Sequence, residues 1–172
     1  MATERRIVIT NGQFPTTDVE QSDEVFWFNS DTVAHWPVPW CTGLKMAAGQ
    51  SSAGFQTFPG NSGIVPQKIQ YTCALHPTEI GILNVFGDFA LAKAPYGGAA
   101  RTNIQITVGG KSPYDTSGTV LPAGVTLAEK VPGSCNGFGA VATAAGTYTF
   151  TLNATDGLGV AIQQQLISVT VS

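Results

Sequence analysis

The stretch Tyr71-Thr72-Cys73-Ala74-Leu75-His76-Pro77-Thr78-Glu79-Ile80-Gly81 puts a thiol, an imidazole and a carboxylate within seven residues, at the end of an apolar run. Upstream of the thiol, Ile69, Tyr71 and Cys73 alternate with Lys68, Gln70 and Thr72, the period of two that a strand with one buried face requires. Downstream, Ile80-Gly81-Ile82-Leu83-Asn84-Val85-Phe86 is a second strand-like run. The segment from Cys73 to Glu79 is therefore a short loop between two strands. A loop tied to a sheet at both ends can fix ligand geometry without help from a metal.

The chain has only two histidines. The other one, His35, follows the strand-like run Glu24-Val25-Phe26-Trp27-Phe28, whose Trp and Phe side chains are expected to fill the interior. Taken singly, a buried Cys reads as a small hydrophobe and a lone His as a satisfied polar group. Together, one thiolate and two imidazoles from separate strands make the His2Cys set that suits copper in electron-transfer sites, completed by a weak axial ligand.

The spacing Asn29-x-Asp31-x-x-x-His35, followed by Tyr71-x-Cys73-x-x-His76-Pro77-x-Glu79, resembles the cupredoxins, and most closely their short-loop branch, which includes amicyanin. The resemblance covers roughly the first half of the chain. It implies a Greek-key β-sandwich holding one mononuclear type-1-like copper on His35, Cys73 and His76. It also implies that the edge of His76 reaches solvent, with a redox partner docking near His76, Leu75, Pro77 and Trp36.

One position departs from the family pattern. Three residues after the loop histidine, where the short-loop proteins carry an axial methionine, this chain has Glu79. A hard, anionic carboxylate in that place stabilises Cu(II) and lowers the reduction potential. Glu79 has a second reading as a solvated bystander, which leaves three strong ligands and a backbone oxygen such as that of Ala34. Met46, eleven residues past His35, reads as packing.

At 172 residues the chain has room for one large or two small domains. Charged residues are 11% of the total, the net charge is -3, and no Lys/Arg cluster supplies a nucleic-acid footprint. No apolar run has the length of a membrane span. The 20 glycines and 10 prolines fall between short β-rich runs, which predicts an all-β protein with many turns. Cys41 and Cys135 remain once Cys73 is given to the metal; a disulfide between them and two isolated thiols are both open readings. The N-terminus lacks the apolar segment of a secretion signal. Because the resembled family is generally exported, the expectation is a mature periplasmic or extracellular protein carrying an added Met.

The second half differs in style. Asn103 to Val108 reads as a strand, Leu121 to Leu127 as another, and Gln164 to Val171 as the last. In Ala145 to Asp156, Tyr148, Phe150 and Leu152 alternate with Thr147, Thr149 and Thr151, and Asp156-Gly157 is a hairpin turn. The pieces G-G-x-x-P-Y, L-P-x-G-x-x-L and A-G-T-Y-T-F-T resemble the Ig-like modules of bacterial extracellular and surface proteins. The predicted organisation is two β-sandwiches, a cupredoxin-like copper domain over 1–87 and an Ig-like domain over 88–172. The implied function is one-electron transfer. The alternatives are copper binding or delivery without redox shuttling, and an Ig-type interaction protein whose copper site has lapsed. An enzyme is not expected: no nucleophile, base and orienting group occur together, and a fully protein-ligated metal leaves no open position for substrate.

Overall fold

The computed structural model describes residues 3–39, 45–56, 66–129 and 137–172, and no helix occurs among them. Cys41, Cys135, Trp40 and the Phe58-Pro59-Gly60 turn lie outside the described residues. The chain divides into two compact units, one reaching Phe86 and the other starting at Gly87.

The first unit contains β1 (Glu4–Ile9), β2 (Thr16–Glu20), β3 (Glu24–Asn29), β4 (Pro37–Val38), β5 (Phe55–Gln56), β6 (Gln67–Cys73) and β7 (Ile80–Phe86). They form two sheets, ordered β1-β3-β5 and β2-β7-β6-β4. Ile7, Ile9, Val25 and Trp27 from the first sheet meet Val19, Ile69, Tyr71, Cys73, Leu83 and Val85 from the second in one buried core. The alternation seen in the sequence of β6 is the cause: its buried residues are Ile69, Tyr71 and Cys73. The same parity corrects the expectation for β3. Trp27 is fully buried, but Phe26 and Phe28 must point to the opposite face and are half-buried there. The Arg6 guanidinium covers the Phe28 ring at 3.9 Å.

Tyr71 locks the two sheets to the segment between β1 and β2. Its hydroxyl donates to the Pro15 carbonyl at 2.7 Å, and its ring lies over Gly81, where a Cβ would collide with it. Burial pushes the Tyr71 phenol up to about 12.

The second unit contains β8 (Ala90–Leu91), β9 (Tyr96–Gly98), β10 (Ile104–Gln105), β11 (Thr107–Val108), β12 (Val125–Glu129), β13 (Phe138–Ala142), β14 (Gly146–Thr155) and β15 (Ala161–Val171). Sheets β10-β13-β12 and β14-β15-β9 enclose a core that includes Ile104, Phe138, Phe150, Leu152, Ile167 and Val169. The run expected as one strand over 103–108 is two strands. At Ile106 the chain changes partners, its N–H donating to Phe138 and its carbonyl accepting from Ala92. Strand β13, Phe-Gly-Ala-Val-Ala, carries no alternation because four of its five residues are buried. After β14, Asp156 ties the turn with its carboxylate, accepting from the N–H groups of Leu158 and Val160 at 3.0 and 2.9 Å.

Candidate metal centre

Three of the four candidate ligands come from the loop between β6 and β7. Cys73 ends β6 pointing inward, and the backbone N–H of Cys73 donates to Glu79 at 3.1 Å. Inside that closure, His76 N–H donates to Cys73 and Glu79 N–H to His76, at 3.3 and 3.0 Å. The loop is thus one hydrogen-bonded turn whose side chains at 73, 76 and 79 face the same side. The fourth, His35, comes from the connection between β3 and β4. Two backbone bonds with Met46, at 3.0 and 2.8 Å, hold it in place.

Asn29 shapes that connection. Fully buried at the end of β3, its amide donates to the carbonyls of Val33 and Met46 and its oxygen accepts from the Asp31 N–H. Each polar atom of the side chain has a backbone partner, so the turn that presents His35 is fixed before any metal binds.

His35 Nδ1, Cys73 Sγ, His76 and Glu79 converge so that their ligand atoms all lie within 4.8 Å of one another. His35 Nδ1 is 3.0 Å from Glu79 Oε2 and 3.8 Å from Cys73 Sγ. His76 Nδ1 is 3.5 Å from Cys73 Sγ and 3.3 Å from Glu79 Oε2. Nitrogen and sulfur atoms that share a tetrahedral ion at about 2.0–2.3 Å are themselves separated by about 3.3–3.7 Å. The four separations of 3.0–3.8 Å lie close to that range, so these atoms are grouped as the ligands of a single ion are, and the mix of one thiol, two imidazoles and one carboxylate is chemically suited to copper or zinc.

Burial is uneven. The His35 side chain has 0% exposure and that of His76 39%, with Glu79 between them at 18%. Cys73 Sγ is buried and accepts from the Trp36 N–H at 3.4 Å. Around His76, Ala74, Leu75 and Pro77 are exposed, whereas Trp36 is half-buried against the core. Met46 contributes its backbone to the placement of His35 while its side chain lies in the core.

An outer set of groups surrounds these four. Asp31 Oδ2 lies 3.2 Å from His35 Nε2 and accepts from the Gly12 N–H at 2.7 Å. The Gly12 N–H, and behind it the His35 ring, hold the Asp31 carboxyl below the usual carboxylate range. The Phe14 ring meets His35 edge-on at 5.6 Å between centroids. A carboxylate on the far nitrogen fixes the ring orientation and leaves Nδ1 free to bind. Neither Gly12 nor Phe14 carries a ligand atom in its side chain, so nothing in the residue types marks them as neighbours of the site; Asp31 was visible as part of the spacing before His35.

Residues 92–172 match the family model described as Putative Ig domain. Among curated proteins, none matches the chain. Among solved structures, the Cu-containing nitrite reductase (NirK) from Thermus scotoductus SA-01 aligns with all of this chain at 12% identity and a TM-score of 0.34. The chain spans 62% of the length of that protein. No helix among the described residues is long and apolar enough to cross a membrane.

Proposed function

We propose that the first unit is a cupredoxin-like domain that binds one copper ion on His35, Cys73, His76 and Glu79 and exchanges single electrons, with the Ig-like domain as a spacer or partner-binding module. The observation that carries this reading is the convergence of those four ligand atoms within 4.8 Å, two of them on buried side chains. When bound, copper supplies the one-electron step between Cu(II) and Cu(I).

The chain's own residues do the rest by holding still. Asn29 and the Met46 backbone fix His35, the turn closed by Cys73 N–H and Glu79 carbonyl fixes the other three, and the Trp36 N–H is aimed at the sulfur. A site preformed in this way undergoes little rearrangement when the charge changes, which is what fast electron exchange requires. His76 is the ligand that reaches solvent, so a redox partner would dock over it and the exposed Leu75 and Pro77. Four protein ligand atoms leave no place for substrate, which argues against an enzyme. The resemblance to exported families supports a periplasmic or extracellular location.

The Glu79 carboxylate, 3.0 Å from His35 Nδ1, favours a second reading. A hard anionic ligand stabilises Cu(II), and a protein that holds copper in that state suits storage or delivery better than shuttling. Adding Cu(II) to the protein and recording its visible spectrum tests the shared part of both readings. An intense thiolate-to-copper band is expected; its absence with stoichiometric copper present would remove the copper centre. Reversible electrochemistry of the loaded protein then separates shuttling from storage.

A further inference from the structure

We infer that Gly12 is the positioning residue that holds the Glu79 carboxylate at the metal centre, an inference that rests on the copper reading above. Thr10-Asn11-Gly12-Gln13 is a tight turn closed by the Gln13 N–H donating to Thr10 at 3.0 Å. Both central residues have positive φ, 55° at Asn11 and 66° at Gly12, the pattern of a type I′ turn and the reason Asn-Gly occupies it. The turn does more than reverse the chain. A Cβ on Gly12 would lie 2.8 Å from Glu79 Oε1 and 3.6 Å from its Cδ. The glycine therefore lies directly against one carboxylate oxygen, while the other, Oε2, faces the two histidines at 3.0 and 3.3 Å.

The same residue holds a second group. Gly12 N–H donates to Asp31 Oδ2, which in turn lies 3.2 Å from His35 Nε2. One backbone unit thus bounds the Glu79 carboxylate on one side and orients the Asp31 carboxylate behind the buried His35 on the other. Any side chain at position 12 must displace something. The atom it meets is the far end of a flexible side chain that is 18% exposed, so the carboxylate moves and the sheet does not. Gly12 substitutions are therefore expected to leave the fold in place and to alter the centre through Glu79.

The test compares Gly12→Ala and Gly12→Asn in the parent and in a Glu79→Ala background, each loaded with Cu(II). Asn is included because it tolerates positive φ while still carrying the Cβ, which separates the contact from backbone strain. The readouts are the electron paramagnetic resonance and visible spectra, the Cu(II) affinity, and thermal unfolding of the metal-free protein. Both variants are expected to fold, to move their spectra toward that of Glu79→Ala, and to lose affinity on the order of tenfold, the scale of outer-shell substitutions. In the Glu79→Ala background the Gly12 substitutions should change neither spectrum nor affinity further. Spectra matching the parent in both folded variants would overturn the inference, as would equal changes that persist without Glu79. A parent with no thiolate-to-copper band would remove the centre itself; a parent with the band and indifferent Gly12 variants removes only the role of Gly12.

Discussion

Replacing Glu79 with Gln removes one negative charge from the centre at nearly constant side-chain size. In the structure Oε2 is 3.0 Å from His35 Nδ1 and 3.3 Å from His76 Nδ1. A unit charge at about 4 Å is worth about 1 kcal/mol at the dielectric of water and about 4 kcal/mol at an effective dielectric of 20. Glu79 is only 18% exposed, and its neighbour His35 not at all, so the upper part of that range applies. For a one-electron couple about 59 mV corresponds to a tenfold change, or about 1.4 kcal/mol. Loss of the charge disfavours Cu(II), so Glu79→Gln should raise the reduction potential by on the order of 100 mV. Glu79→Met, which supplies a neutral thioether instead, should raise it as well and strengthen the blue band. The assay is voltammetry of the copper-loaded proteins with matched visible spectra. A Gln variant within about 30 mV of the parent, half of one tenfold step, and with an unchanged spectrum would refute axial ligation by Glu79 and leave a three-ligand site.

Cys73→Ser should abolish the thiolate-to-copper absorption while leaving the β-rich far-ultraviolet spectrum, since the core around Cys73 is built from side chains of both sheets; strong visible absorption in the variant would exclude Cys73 as the thiolate. Added imidazole should restore the coloured site in His76→Gly but not in His35→Gly, because the first side chain is 39% exposed and the second 0%. Rescue in the opposite order would reverse the exposure assignment. Tyr71 links stability to alkaline pH. Its phenol is neutral in both states below pH 10; as pH rises from 10 to about 12 the unfolded chain loses the proton that the folded chain keeps. Stability should fall across that window by roughly 2–3 kcal/mol at most. Tyr71→Phe should flatten the dependence and cost about 1 kcal/mol at neutral pH for the lost bond to Pro15. A wild-type slope retained in chemical denaturation of Tyr71→Phe would show that the dependence arises elsewhere.

The all-β character was legible from short β-rich runs between glycines and prolines, and in β6 and β14 from the period-two alternation that marks a strand with one wet face; β7 alternates in burial but carries apolar Ile80, Ile82 and Phe86 on its other face. Strand character was not legible for β2, Thr-Thr-Asp-Val-Glu, which has one apolar residue in five and whose two buried residues, Val19 and Glu20, are adjacent, nor for β13, which is covered on both faces. The partners Cys73, His76 and Glu79 were legible for a different reason. They lie within one turn of chain, so their spacing alone brings them together once the flanking strands pair. For His35 the spacing before it identified the residue, but the side chain's placement depends on Met46, which read as packing and acts through its backbone. The side chain at a position can be read from sequence; a carbonyl and an N–H are the same at every position.

The role inferred for Gly12 depends on pairing between strands distant in sequence from the loop that carries most of the candidate ligands. Strands β1 and β3 run parallel with Ile9 opposite Asn29. That register brings the chain leaving β1 alongside the chain leaving β3, and Ser30 N–H donates to Ile9 at 2.9 Å where they part. Three residues past Ile9, Gly12 reaches Asp31, and beyond it the Glu79 carboxylate. A slip of one residue would turn Ile7 and Ile9 outward and carry the Asn-Gly turn away from both carboxylates. The burial of Ile7 and Ile9 against Trp27 and Val25 is thus what sets the outer wall of the centre, although no residue of β1 supplies a ligand atom. Hydrophobic packing in β1 and ligand geometry at Glu79 are coupled through that register, and a substitution that loosens the first should be felt in the spectrum of the second.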